Sequence, residues 1–277
     1  MNFGDRSLWK FGAHGLLAAL LVSPAAGQDF ALKRLEESPR HHEWVKVTHD
    51  GRDVWSFVAF PETEGKAPAV VVIHENRGLT DWVRGFADQL AEAGYLAVAP
   101  DLLSGAGPDG GKTSDFPDSD AARQAIYQLD GQQVTADLNA VVDFAAKLPA
   151  SSGKTVAVGF CWGGSQSFRL ATNNDQIKAA FVFYGGPPEK PEDLARIQAP
   201  VYGFYAGGDA RINSTIAVTQ TAMADYEKTY EYEIYAGAGH AFMRRGEDPN
   251  ETAANKDARS QSWKRLLRLL GELNLED

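Results

Sequence analysis

Cysteine is almost absent from this chain, since only one of its 277 residues, Cys161, is a cysteine. A single cysteine excludes an internal disulfide, and it argues against a disulfide oxidoreductase because no second thiol could resolve a mixed disulfide. Positive charge is also scarce, with 27 Lys and Arg against 37 Asp and Glu, for a formal net charge of −10. This balance argues against nucleic acids and anionic membrane surfaces as partners.

The apolar run at residues 16–22 is too short to cross a bilayer. Arg6 and Lys10 precede it, and the small residues of 23–27 follow it. This pattern predicts a secretory signal peptide over residues 1–28, with an uncleaved anchor or a wrongly assigned start codon as alternatives. We therefore expect an exported, periplasmic or secreted protein with a mature domain at 29–277 and no membrane contact after cleavage. A free thiol is a liability in an oxidising compartment unless it is hidden or used, which favours a working cysteine.

Eight apolar runs of strand length recur along the chain, with helical stretches between most of them. The first two flank Asp50-Gly51 and alternate partly, which predicts an edge hairpin, and the next five are nearly continuous, as in strands buried on both faces. The pattern predicts an α/β fold with a single, doubly wound, mainly parallel sheet of about eight strands flanked by helices. The predicted strands are 44–48, 54–60, 69–73, 95–99, 155–159, 179–184, 201–205 and 230–235, and the predicted helices are 82–93, 134–147, 165–171, 214–226 and 253–270.

Residues 104–119 interrupt this alternation with a segment rich in Gly and Pro, which predicts a long loop. Long loops within α/β domains are often functional, and this one follows the strand that ends at Pro100-Asp101. We expect it to border the binding site.

The surroundings of Cys161 are typical of a nucleophile. An apolar run leads into Gly159-Phe160-Cys161-Trp162-Gly163-Gly164, and a helical stretch follows. A strand, a glycine-bracketed residue and a helix place a nucleophile on a sharp turn, where an amide at the start of the helix can stabilise negative charge. The alternative is that Cys161 is a small buried hydrophobic residue.

A thiol nucleophile needs a base, and the base needs a group that orients it. His240 is the only histidine after Cys161, and it follows the last predicted strand. Asp209 ends the preceding strand region and is the best candidate to orient it, whereas Asp225 and Glu227 lie in or beside a helix. The order nucleophile, acid, base is that of α/β-hydrolases. A solvated loop histidine is the alternative for His240.

Glu75 directly follows the buried strand at 69–73, where a carboxylate costs desolvation unless it has a partner or a task. Beside a thiol it could take the proton of Cys161. The alternative is a solvated glutamate in a turn.

Five motifs together resemble the dienelactone hydrolase family of the α/β-hydrolase superfamily, over about residues 42–270. The motifs are His74-Glu75-Asn76-Arg77-Gly78, Pro100-Asp101-Leu102, Gly159-Phe160-Cys161-Trp162-Gly163-Gly164, Gly207-Gly208-Asp209 and Gly239-His240-Ala241-Phe242. The resemblance implies hydrolysis of a carboxylate-bearing enol-lactone, with Cys161 as nucleophile, His240 as base and Asp209 as orienting acid. It also implies oxyanion donors at the backbone amides of Asn76 and Trp162, and neither a metal nor an organic cofactor.

The resemblance further implies that Glu75 controls the ionisation of Cys161 as the substrate arrives. One of two family arginines for the substrate carboxylate corresponds to Arg244. The other position is occupied by Gly105, so that arginine is missing, and Arg77 or Arg211 could take its place.

Three functions stay open at this point. The first is cysteine-dependent hydrolysis of a small-molecule ester or lactone that carries a carboxylate. The second is a broader exported carboxylesterase for neutral esters, on which a carboxylate-binding Arg244 would be wasted. The third is a non-catalytic binding module of the same fold. We expect a monomer.

Overall fold

The computed structural model describes residues 29–275, so the signal peptide predicted at 1–28 lies outside the described residues. All eight predicted strands are present in this part of the chain. They are β1 (His42–His49), β2 (Arg52–Ala59), β3 (Ala67–Ile73), β4 (Leu96–Pro100), β5 (Ser151–Phe160), β6 (Ala180–Phe183), β7 (Val201–Ala206) and β8 (Tyr230–Tyr235).

The five predicted helices are also present, and three more accompany them. The predicted ones are α2 (Asp81–Glu92), α4 (Gly131–Lys147), α5 (Trp162–Ala171), α6 (Ala210–Asp225) and α8 (Ala253–Glu272). The additional ones are α1 (Asp29–Glu37), α3 (Ser119–Ile126) and α7 (Phe242–Arg245). These three are short, so they lack the long apolar stripe that indicates a helix in sequence.

One sheet holds the eight strands in the order β1-β2-β4-β3-β5-β6-β7-β8. The β1–β2 hairpin is antiparallel, and β2 pairs antiparallel with β4. All other neighbours are parallel, which confirms the predicted doubly wound arrangement. Every residue of β3 and β4 is buried, because helices cover both faces of the sheet.

The parallel strands bring their carboxyl ends to one edge of the sheet. Ile73 of β3 is paired with Gly159 of β5, and Phe160 is paired with Phe183 of β6. On the other side, Ala206 of β7 lies beside Tyr235 of β8. The loops that follow these strands therefore meet at one place, which is where ligand sites form in such sheets.

Between residues 29 and 275, none of the helices combines the length and the apolar character that a membrane span requires.

Candidate active site

Cys161 lies on a tight turn between β5 and α5, as the sequence predicted. Its backbone has φ 55° and ψ −116°, a conformation that is costly for a residue with a side chain. Its amide donates a hydrogen bond to the carbonyl oxygen of Phe183, 3.0 Å away. The small neighbours are required here, because a Cβ on Gly159 would collide with the backbone of Gly163, and a Cβ on Gly163 with the carbonyl oxygen of His74. The turn holds the half-buried thiol at the edge of the sheet.

His240 and Asp209 are within hydrogen-bond distance of each other, and His240 lines the same cavity as Cys161. His240 Nδ1 lies 2.5 Å from Asp209 Oδ2, and the histidine side chain is 33% exposed while the aspartate side chain is 7% exposed. The other carboxylate oxygen of Asp209 accepts a hydrogen bond from the amide of Ile212 at the start of α6. Asp225 lies at the far end of the same helix. The structure thus brings Asp209, and not Asp225, to His240.

Glu75 lies close enough to the thiol for its charge to act on it, and it is paired with Arg244. Arg244 Nε donates to Glu75 Oε2 at 2.7 Å, and the two side chains are 21% and 7% exposed. Glu75 Oε1 is buried and has no hydrogen-bond partner among the described residues. The carboxylate therefore has one oxygen on Arg244 and a second, near the Tyr184 hydroxyl, that no hydrogen bond among the described residues engages.

The surroundings of Cys161 favour its protonated form. Burial, followed by the charge of Glu75, raises the pKa of the thiol to about 11. The backbone amides of Trp162 and Asn76 and the charge of Arg211 act in the opposite direction, because they stabilise the thiolate. The two amides that were predicted as oxyanion donors thus both face the sulfur.

Tyr184 is a residue of the site that sequence reasoning missed. It follows β6 with φ 41°, is fully buried, and packs edge-to-face on His240 with ring centroids 5.0 Å apart. Its hydroxyl has no hydrogen-bond partner among residues 29–275. Burial and the charge of Glu75 raise the pKa of this hydroxyl well above its usual value. Its place at a strand end, before Gly185-Gly186, was the signal that could have revealed it.

A cavity of about 650 Å³ opens over the thiol, and its lining is cationic. Glu75 is the one acidic side chain in that lining, although the whole protein is acidic. Within residues 29–275, Arg77 and Arg211 have no salt-bridge partner, whereas the other arginines of the lining pair with Glu75, Glu251 or Asp120. The five arginines are Arg77, Arg123, Arg211, Arg244 and Arg245.

The long loop at 104–119 does not line this cavity, so that expectation was wrong. The cavity is bordered instead by Arg123 and Tyr127, from α3 and the residue after it. Asp118 caps α3 by accepting hydrogen bonds from the amides of Asp120 and Ala121, a signal that sequence reasoning overlooked. The loop turns back because Thr113 donates from its amide and its hydroxyl to the buried Asp101. Gly105, where a family arginine is missing, is likewise outside the cavity lining.

No cluster of three or more His, Cys, Asp or Glu side chains suited to a metal ion occurs within residues 29–275.

Comparison with known proteins identifies relatives of the whole chain. The model of the dienelactone hydrolase family matches residues 54–274. A candidate carboxymethylenebutenolidase of Salmonella typhi is 31% identical over 235 residues, which cover 80% of this chain and 84% of that protein. A candidate 2-oxo-3-(5-oxofuran-2-ylidene)propanoate lactonase of Bradyrhizobium is 28% identical over 228 residues, covering 78% of this chain and 90% of that protein.

Solved structures agree as well. The crystal structure of a candidate dienelactone hydrolase from Klebsiella pneumoniae has a TM-score of 0.72 and 26% identity, and the match covers 83% of this chain and 97% of that one. The strand order described above is accordingly that of an α/β-hydrolase fold, and the chain is a hydrolase of this kind. Its matched motifs, sheet and relatives together show that the protein belongs to the dienelactone hydrolase family.

Proposed function

We propose that this hydrolase cleaves a lactone or ester that carries a carboxylate, with Cys161 as the nucleophile. The observation that carries the proposal is the Glu75–Arg244 pair near the half-buried thiol, in which Glu75 Oε1 has no hydrogen-bond partner among the described residues. A carboxylate on the substrate would compete with Glu75 for Arg244. The substrate itself would then release the base that ionises the thiol.

The proposed first step forms the thiolate only when substrate is bound. The substrate carboxylate takes the Arg244 guanidinium, and Glu75 Oε1 accepts the proton of Cys161 Sγ. At rest the thiol stays protonated, because burial and the nearby carboxylate raise its pKa to about 11. A protonated thiol is less open to oxidation, which would suit an exported protein.

The next steps follow from the geometry around the sulfur. The thiolate forms a bond to the acyl carbon, and the amides of Asn76 and Trp162 would receive the oxyanion. The carbon–oxygen bond to the leaving oxygen then breaks, which leaves a thioester on Cys161. His240, oriented by Asp209, deprotonates a water molecule that hydrolyses the thioester and passes this proton to the oxygen that left in the previous step. The sulfur leaves as thiolate and recovers its proton from Glu75, which restores the resting enzyme.

The charge of the cavity supports an anionic substrate. Five arginines face one carboxylate in the lining, and two of them have no salt-bridge partner within residues 29–275. The name of the Bradyrhizobium relative combines an oxofuran ring with a propanoate, so the substrate in that name is itself a carboxylate-bearing lactone. We propose the same chemical class here.

The experiment that tests this proposal compares two lactones that differ only in a carboxylate and its methyl ester. Wild type should prefer the free acid, and Cys161→Ala should lose hydrolysis of both while keeping its fold. Arg244→Ala should raise KM for the acid far more than for the methyl ester, and the exposed Arg268→Ala serves as control. Equal losses on both substrates would favour the neutral-ester carboxylesterase instead. Full activity of Cys161→Ala would overturn the cysteine mechanism.

We also propose that the protein is exported and acts as a monomer. The support for export is the basic and apolar pattern of residues 6–22. N-terminal sequencing of the mature protein from its native host should find a start near residue 29. A mature chain that begins at Met1 in the cytoplasm would contradict export, and light scattering tests the monomer.

A further inference from the structure

His74 is a buried titratable residue that the proposed mechanism does not use. It directly follows β3 and its side chain is fully buried. Its Nδ1 lies 2.8 Å from the carbonyl oxygen of Glu75, and its Nε2 lies 3.2 Å from the amide nitrogen of Leu102. Its ring stacks on Trp162, with centroids 5.4 Å apart and planes inclined by 15°.

These contacts define the state of the imidazole. The amide of Leu102 can only donate, so Nε2 must accept and Nδ1 must carry the hydrogen that binds the carbonyl of Glu75. Burial lowers the pKa of His74, although the carboxylates of Asp101 and Glu75 act in the opposite direction. His74 is therefore a neutral ring that cannot rotate without losing both hydrogen bonds.

The carbonyl that His74 holds belongs to the same peptide group as the amide of Asn76. In a planar trans peptide the C=O and N–H bonds point in opposite directions. A ring that holds the oxygen of Glu75 on one side therefore aims the Asn76 N–H at the other, where it faces Cys161 Sγ. The second amide on that sulfur belongs to Trp162, on which the same ring is stacked.

We propose that His74 is a positioning residue that orients both oxyanion donors from one buried ring. It touches neither the sulfur nor the substrate and acts through the Glu75–Asn76 peptide and Trp162. The proposal rests on the oxyanion role of those amides in the proposed function. It predicts that a change at His74 impairs the transition state and the thiolate, and that it spares substrate binding.

Thr113 provides a matched control, because it binds Leu79 at the far end of the loop 74–80 that connects β3 to α2. Its hydroxyl oxygen accepts a hydrogen bond from the amide of Leu79, 3.0 Å away, and donates to Asp101. Thr113→Val would loosen this loop and its tie to Asp101, but it removes neither hydrogen bond of the His74 ring. Any effect that is merely structural should appear in both variants.

The experiment compares His74→Phe, His74→Asn and His74→Gln with Thr113→Val. The Phe variant keeps a ring but loses both hydrogen bonds, whereas an Asn amide can still donate to the carbonyl of Glu75. A Gln side chain reaches further, so its amide oxygen can accept from the amide of Leu102 but its NH₂ cannot donate to the carbonyl of Glu75. We expect kcat to fall about 10- to 100-fold in the Phe and Gln variants with KM within about threefold, because a single misaimed oxyanion donor costs less than its removal. His74→Asn should keep a kcat much closer to that of wild type.

A second measurement needs no substrate and therefore does not depend on the proposed function. The rate of Cys161 alkylation by iodoacetamide at a fixed pH reports how well the amides stabilise the thiolate. We expect slower alkylation in the Phe and Gln variants than in the Asn variant, Thr113→Val and wild type. The wild type could prove unable to hydrolyse any ester while the variants still show this order of alkylation rates. That outcome would contradict the proposed function and support the positioning role of His74.

Three results would overturn the proposal. The first is that kcat and the rate of Cys161 alkylation in the Phe and Gln variants stay within about twofold of the wild-type values. The second is a better rescue by Gln than by Asn, and the third is equal losses in Thr113→Val. Should His74→Phe fail to fold, the comparison of Asn with Gln decides alone.

Discussion

Two kinds of buried carboxylate occur in this protein, and they differ in how fully their oxygens are used. Asp88 of α2 is fully buried and accepts hydrogen bonds on both oxygens, from Ser38, Arg40 and His42. Asp137 of α4 is equally satisfied, by His49, Arg52 and Gln133. Glu75 has one oxygen on Arg244 and the other without a partner among the described residues.

The fully hydrogen-bonded carboxylates stabilise the fold, whereas Glu75 has an oxygen available for catalysis. Asp88 fastens α2 to residues 38–42, and Asp137 fastens α4 to the β1–β2 hairpin. Both oxygens of each carboxylate are already engaged by hydrogen-bond donors. A buried oxygen without a partner costs stability, and at an active site a catalytic role can offset that cost. Substitutions at the two kinds of site should therefore separate activity from stability.

Asp209→Asn should have the largest effect, a loss of about 10⁴-fold in kcat, because an amide would stabilise the wrong tautomer of His240. The fold should be kept, since Asn caps the start of α6 as well as Asp does. Steady-state kinetics beside urea unfolding test this. Asp225→Asn, at the end of the same helix, is the control, and a greater loss in the control would refute the assignment of Asp209.

Asp88→Asn should show the opposite behaviour. It removes the charged partner of Arg40 from a buried cluster, which costs about 3–5 kcal/mol of unfolding free energy. The kcat should stay within about twofold of wild type, because the cluster lies outside the residues that line the active-site cavity. Urea unfolding gives the first value and an ester assay the second. A fall in kcat of more than about twofold would contradict the distinction between fully hydrogen-bonded carboxylates and Glu75.

Glu75→Gln should reduce kcat by about 10²-fold, the usual scale for removing a general base. Its unfolding free energy should fall by less than that of Asp88→Asn, because the amide oxygen of Gln still accepts from Arg244, whose side chain is 21% exposed against 10% for Arg40. The charge of Glu75 raises the pKa of Cys161, so iodoacetamide should label this variant at lower pH than wild type. Glu272→Gln, in which the side chain is 57% exposed at the end of α8, is the control. Unchanged labelling and turnover would make Glu75 a structural residue like Asp88.

The smallest expected effect is in the acid dependence of stability. Burial would raise the pKa of Asp88, but hydrogen bonds from Arg40, Ser38 and His42 outweigh it and hold the pKa below its usual value. Its contribution is thus fully present above the unfolded pKa, about 3.9, and is lost as pH falls through the lower folded pKa. Wild type and Asp88→Asn should differ in unfolding free energy by a constant amount above about pH 5, and this difference should shrink as the pH falls below about 4. A difference that grows on acidification would contradict this.

Much of the fold was predictable because local patterns encode it. Continuous apolar runs marked the buried strands, and Asp50-Gly51 marked the edge hairpin. The helices α1, α3 and α7 were not predicted. They have only 9, 8 and 4 residues, so their apolar patterns are too short to indicate a helix. The path of the loop at 104–119 also escaped, because Thr113 and Asp101 settle it by a contact between distant segments.

The sequence by itself determined which residues stand at the strand ends, since Glu75, Cys161, Asp209 and His240 follow apolar runs that can only be strands in this fold. It also determined the tight turn at Cys161, because only small residues fit there. Tertiary structure alone decided which of these residues meet. Arg244 and Glu75 are 169 positions apart, and Asp209 and His240 are 31 apart, so no local pattern could pair them. The cationic cavity, the buried Tyr184 and the ring of His74 on Trp162 likewise exist only once the parallel strands have brought their carboxyl ends to one edge.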